Sequence, residues 1–115
     1  MNLSEQDVLR RVTGVTRIRL QTWVRRGWII PLASDEGVRY TEVDVARCDL
    51  IRQLRDDLGV ENESVEIVLS LLDQVYGLRR ELRAVMRAVE SQPDDIRAGI
   101  LKALSGRPDD RETPK

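Results

Sequence analysis

The stretch LSEQDVLRRVTGVTRIRLQTWVRRG, residues 3–27, decides the fold. It holds one helix-start device twice, with a glycine between the copies. In the first copy Ser4 is placed to cap, Asp7 to answer it from the third helical position, and Leu3 to staple onto Val8. The helix so begun is expected to run to about Val12. It stops at Thr13-Gly14, where glycine supplies a left-handed residue. In the second copy Thr16 caps and Val15 staples onto Leu20. That helix is expected over about residues 17–26, closed by Gly27. Two short helices joined by a glycine-containing turn are the sequence mark of a helix-turn-helix.

C-terminal to this pair come Trp28-Ile29-Ile30-Pro31-Leu32, the polar loop Ala33-Ser34-Asp35-Glu36-Gly37, and Val38-Arg39-Tyr40. Two short apolar runs around a glycine-containing loop predict a small hairpin, a wing beside the helices. Pro31 confines its strand to an edge. Thr41-Glu42-Val43-Asp44 is a second full capping box. Val43, Leu50, Ile51, Leu54 and Leu58 follow at helical spacing up to Gly59. Asn62 is placed to cap the longest helix, about residues 63–91. Along it Val65, Leu72, Arg79 and Met86 share one heptad position, and Val68, Val75, Leu82 and Val89 share its partner position. Leu71, Leu78 and Val85 form a third stripe, helped by Leu69 and Tyr76. Pro93 with Asp94 and Asp95 starts a last short helix whose face is Ile96, Ile100, Leu101 and Leu104. The expected organisation is a winged helix-turn-helix over 1–60, the long and C-terminal helices over 61–106, and a flexible tail over 107–115.

Composition removes whole classes of function. The 115 residues are 41% hydrophobic, 34% charged and 3% aromatic, which supports a modest aliphatic core and no aromatic platform for single strands. The absence of histidine excludes histidine acid–base catalysis and histidine-ligated metal. One cysteine, Cys48, excludes an internal disulfide and a multi-cysteine metal site. The carboxylates are dispersed on helix faces, without a nucleophile–base pair or a phosphate-cradling glycine loop, so no enzyme is expected. No cofactor and no small-molecule ligand are implied. No apolar run approaches a membrane span, and the first residues lack a signal-peptide core, so the expected location is cytoplasmic.

The layout of helix-turn-helix, wing, helix and long helix resembles the MerR-type winged-helix proteins. The resemblance is carried by residues 4–12 with Gly14 and Thr16, by residues 23–29, and by Val38-Arg39-Tyr40-Thr41 with Asp44-Val45-Ala46. It implies a mainly α fold with a small two-stranded wing, a long dimerisation helix and a short C-terminal helix. Residues 50–58, 68–79 and 88–97 are in addition similar to the chaperone-modulator family of the CbpM type. That resemblance implies a MerR-like fold turned to protein binding. Such a protein binds the J-domain of a DnaJ-like (CbpA-type) co-chaperone, inhibits it, and blocks its contact with the DnaK-type chaperone and its DNA binding.

The charges allow both this reading and a DNA-binding regulator. Residues 1–30 carry six arginines against Glu5 and Asp7, a net +4, and the rest of the chain carries −5. Arg17, Arg19, Arg25, Arg26, Gln21 and Thr22, with Arg39 on the wing, form the candidate DNA-binding set. A wing that grips phosphate is expected to be basic, whereas this loop carries Asp35 and Glu36. J-domains dock through a positively charged helix, so a binder is expected to present acids. The candidates are Asp56, Asp57, Glu61, Glu63, Glu66 and Asp73; the last two, seven residues apart, share one helix face. Homodimerisation is expected through Val65, Val68, Leu72, Val75, Leu82, Met86 and Val89.

Overall fold

A computed structural model describes residues 2–106; the expected tail, 107–115, lies outside the described residues. Both helices of the opening pair form as their caps dictate. Helix α1 is Glu5–Arg11, with the Ser4 hydroxyl accepting from the Asp7 N–H and the Asp7 carboxylate accepting from the Ser4 N–H. Helix α2 is Arg17–Arg25, capped by the Thr16 hydroxyl accepting from the Arg19 N–H. The staple residues Leu3, Val8, Val15 and Leu20 are all buried. Gly14 turns the chain between the helices at φ 84°. A Cβ on it would lie 3.0 Å from Cδ of Arg52, so both backbone and space call for glycine there.

The wing is smaller than its sequence suggests. Strand β1 is Leu32–Ser34 and β2 is Gly37–Arg39, antiparallel, with Leu32 opposite Arg39, Ala33 opposite Val38 and Ser34 opposite Gly37. The five-residue loop is therefore a two-residue turn, Asp35-Glu36. Trp28 and Ile29, expected to start the first strand, instead belong to the core: both backbone N–H groups donate to the Trp23 carbonyl, at 2.9 and 3.4 Å, and both side chains are buried. After the wing, Tyr40 pairs with Leu3 through two backbone bonds of 2.7 and 2.8 Å. This bridge ties the start of the chain to the end of the hairpin.

Helix α3, Glu42–Arg52, opens with the expected Thr41–Asp44 capping box and passes into a π-helical turn, Gln53–Asp57. The Leu58 N–H reaches the Gln53 carbonyl five residues back, at 3.1 Å. The buried face here is Asp44, Cys48, Ile51 and Leu54. Val43 and Leu58, expected on that face, are 66% and 71% exposed, and Cys48 takes a central place instead. Helix α4, Asn62–Glu90, begins one residue earlier than expected, with Asn62 inside it. It is about 43 Å long at 1.5 Å per residue. Helix α5, Asp94–Ser105, follows Pro93, and none of its residues is buried.

The described chain divides into two compact units, up to Leu72 and from Asp73 onward, with the division inside α4. In the first unit one cluster joins Val8, Leu20, Trp23, Trp28, Ile29, Ile51, Val65 and Leu69. Val65 was expected on a seam with a second subunit. It is fully buried in the chain's own core, with Val68 packed partly against it. In the second unit Leu78, Leu82, Val85 and Met86 of α4, and Ile96, Leu101 and Leu104 of α5, are exposed.

Burial separates neighbours on α2. Leu20 is fully buried and Ile18 is 75% exposed. Leu20→Ala is expected to cost about 2–5 kcal/mol in urea unfolding, and Ile18→Ala under about 0.5 kcal/mol.

Candidate functional site

The face built by α2, the wing and the start of α4 gathers most of the residues proposed for binding. Thr16 and Gly27 bound α2, and the buried Leu20 and Trp23 fix its rotation, so its arginines emerge at the flanks. Each meets a specific partner. Arg17 Nε lies 3.0 Å from Glu5. Arg19 donates from both terminal nitrogens to the two Asp56 oxygens, at 2.9 and 3.0 Å, and also to the Gly14 carbonyl at 3.0 Å. Its guanidinium sits 5.0 Å from the Trp23 ring centre. Arg26 lies 3.8 Å from Glu66 and 5.3 Å from the Trp28 ring centre. The Trp28 indole N–H donates to the same Glu66 carboxylate at 3.0 Å. On the wing, Arg39 reaches Glu36 at 3.4 Å.

Arg25 differs, since its guanidinium reaches the Thr22 hydroxyl at 3.3 Å. That hydroxyl in turn donates to the Ile18 carbonyl at 2.9 Å, turned back onto its own helix. Arg25, Gln21, Val24, Glu5, Val38 and Tyr40 line a groove between α2 and the wing, about 470 Å³ in volume. Arg17, Arg19, Arg26 and Arg39 are thus neutralised by carboxylates of the same chain, whereas Gln21 and Arg25 line an open groove.

The same bonds sort the acids proposed for a basic partner. Asp56, Asp57 and Glu66 are turned onto Arg19, Arg52 and Arg26 respectively. Glu61 and Glu63 stand exposed at the start of α4. Asp73 lies further along α4, in the second unit. Spacing along the chain gave no sign of the Arg19–Asp56, Arg26–Glu66 and Trp28–Glu66 contacts, which join residues 37 to 40 positions apart. Of the residues proposed for dimerisation, Val65 serves the core. Val75, Leu82 and Met86 are exposed, and Val68, Leu72 and Val89 are half-buried.

Cys48 is buried, and burial pushes its thiol up to about 12, far from a reactive thiolate. Among the described residues no group of three or more potential ligands is placed to hold a metal ion. No helix among them is long and apolar enough to cross a membrane.

A family model described as MerR HTH family regulatory protein matches residues 7–72, more than half of the chain. The chain belongs to the MerR helix-turn-helix family. The match starts in α1 and ends at Leu72, where the first compact unit ends. No curated protein and no solved structure matches this MerR-family chain.

Three carboxylates of the unit are held below their ordinary range. The Arg19 hydrogen bonds do this to Asp56, the Arg11 hydrogen bonds to Glu42, and the Ser4 backbone N–H, followed by its hydroxyl, to Asp7. A group lowered in the folded state binds its proton more weakly there than in the unfolded chain. Its contribution is complete above the unfolded value and is lost as pH falls through the folded one. The thermal midpoint is therefore expected to hold between about pH 7 and 5 and to drop below about pH 4. Asp56→Asn is expected to lower the midpoint at neutral pH and to shrink the acid drop, read by circular dichroism at each pH.

Proposed function

We propose that this chain is a protein-binding member of the MerR family: a chaperone modulator that docks on the J-domain of a DnaJ-like co-chaperone and inhibits it. The observation that carries the reading is electrostatic. Four of the arginines a winged helix-turn-helix would lay along a duplex already face carboxylates of their own chain. The wing turn presents Asp35, while Glu36, 83% exposed at its side chain, is paired with Arg39. Phosphates approaching that turn meet like charge, which weakens binding to every sequence alike. A basic protein helix meets the opposite sign. Glu61 and Glu63, exposed at the start of α4, are the acids best placed to receive it. Such charges set association rate and partner choice more than final affinity. The similarity of residues 50–58, 68–79 and 88–97 to chaperone modulators points to the same partner class.

The homodimer is part of this proposal. Beyond the division at Leu72, the exposed Val75, Leu78, Leu82, Val85 and Met86 form the face offered to a second copy. Leu78→Asp with Leu82→Asp is expected to convert the dimer to monomer in sedimentation equilibrium; a wild-type monomer at 100 times the assay concentration or more removes the dimer.

A DNA-binding regulator is the second reading, favoured by Gln21 and Arg25 in the open groove beside the wing. Calorimetry against a purified J-domain and a shift assay against the upstream DNA separate the two. A J-domain complex is expected, weakened about tenfold, on the order of 1.4 kcal/mol, by Glu61→Lys with Glu63→Lys. No complex at tens of micromolar removes the co-chaperone reading. Sequence-selective duplex binding with a steep salt slope would establish the regulator instead.

A further inference from the structure

We propose that Asp56 and Glu66 act as internal phosphate mimics, masking a latent polyanion-binding face on α2. Asp56 offers both oxygens to both terminal nitrogens of Arg19, the two-pronged geometry in which arginine takes a phosphate. Glu66 is pinned beside Arg26 by the Trp28 indole N–H, so its position does not depend on the arginine alone. Arg19 and Arg26 are seven residues apart and flank the same side of α2, where a helix in a groove meets phosphate rather than base edges. Each lies over a tryptophan ring, which keeps the guanidinium ordered whichever anion occupies it.

Both masking acids come from outside α2, one from the π-helical turn and one from α4. The mask is therefore separable from the helix that carries the cations. Both pairs are partly exposed, with side-chain exposures of 30% and 43% for Arg19 and Asp56, and 42% and 50% for Arg26 and Glu66. A competing anion can reach them without unfolding the unit.

The inference rests on the reading above only in that α2 does not serve a duplex in the resting chain, and its assay is separate. Fluorescence anisotropy with a random-sequence 20-base-pair duplex compares the full wild-type chain, Asp56→Asn with Glu66→Gln, and the control Asp57→Asn with Glu81→Gln. The control removes the same charge from the same two elements without touching α2. The first variant is expected to bind about three- to tenfold more tightly at low salt, with a log–log salt slope steeper by about two. The control is expected to stay near wild type. Adding Arg19→Gln and Arg26→Gln is expected to erase the gain, while the same pair in the wild-type background changes little.

No gain over wild type, or an equal gain in the control, overturns the proposal. Should the double variant be unfolded by circular dichroism, Asp56→Asn and Glu66→Gln are read singly, each expected to steepen the slope by about one. No change in either overturns it as well. Duplex gain without a J-domain complex leaves the mask standing and removes the co-chaperone reading alone. A J-domain complex without duplex gain does the reverse.

Discussion

Trp28 is joined to three helices at once. Its backbone N–H donates to the Trp23 carbonyl of α2, its carbonyl accepts from Arg47 Nε of α3, and its indole N–H donates to Glu66 of α4. Its ring, 4% exposed, lies beneath Arg26. A buried indole without a hydrogen-bond partner would carry the full desolvation cost of its N–H, so the Glu66 bond fixes the start of α4 as well as satisfying the ring. From this joint the chain leaves for the wing, and the wing returns to Leu3. The joining of α2, α3 and the start of α4 thus runs through one side chain and its backbone.

Magnitudes separate what holds this unit from what it displays. Fully buried Leu20, Ile51 and Val65 each contribute on the order of 1.5–3 kcal/mol by leaving water. The arginine–carboxylate pairs are surface pairs, worth about 0–1 kcal/mol apiece. Ion pairing therefore does not explain the fold. Its consequence lies in the surface: α2 with its C-cap carries Arg17, Arg19, Arg25 and Arg26, and three of the four face carboxylates, so it presents less positive field than its sequence suggests. This MerR-family unit thus carries an α2 face whose arginines largely meet carboxylates of the same chain.

Local signals were legible in the sequence and distant ones were not. The boxes Ser4–Asp7 and Thr41–Asp44 and the Thr16 cap close within three residues, so their chemistry is complete in a short window. The wing was legible as a hairpin but misplaced, because Trp28-Ile29 has strand composition whether it pairs with a strand or packs on Trp23. Asp56 and Glu66 read as acids free for a partner. Nothing within ten residues reveals that Arg19 and Arg26 reach them from α2. Val43 kept its helical spacing but faced outward, since the π-helical turn and the buried Cys48 decide which side of α3 meets the core.

Helix α4 shows why a long apolar period does not name its neighbour. From Val65 to Val89 the spacing of three and four continues, with Arg79 its one charged member. Its first turns are taken by the core: Val65 and Leu69 are buried among residues of α1, α2 and α3. Past Leu72 the same period runs along exposed Val75, Leu78, Leu82 and Met86. Helices of a few turns are marginal in water on propensity alone and gain their stability by burying an apolar stripe. One periodic signal therefore serves two purposes along a single rod. The family match stops where the first purpose ends, at Leu72. The helix from Asp73 onward, with α5, keeps its apolar stripe exposed outside the matched region.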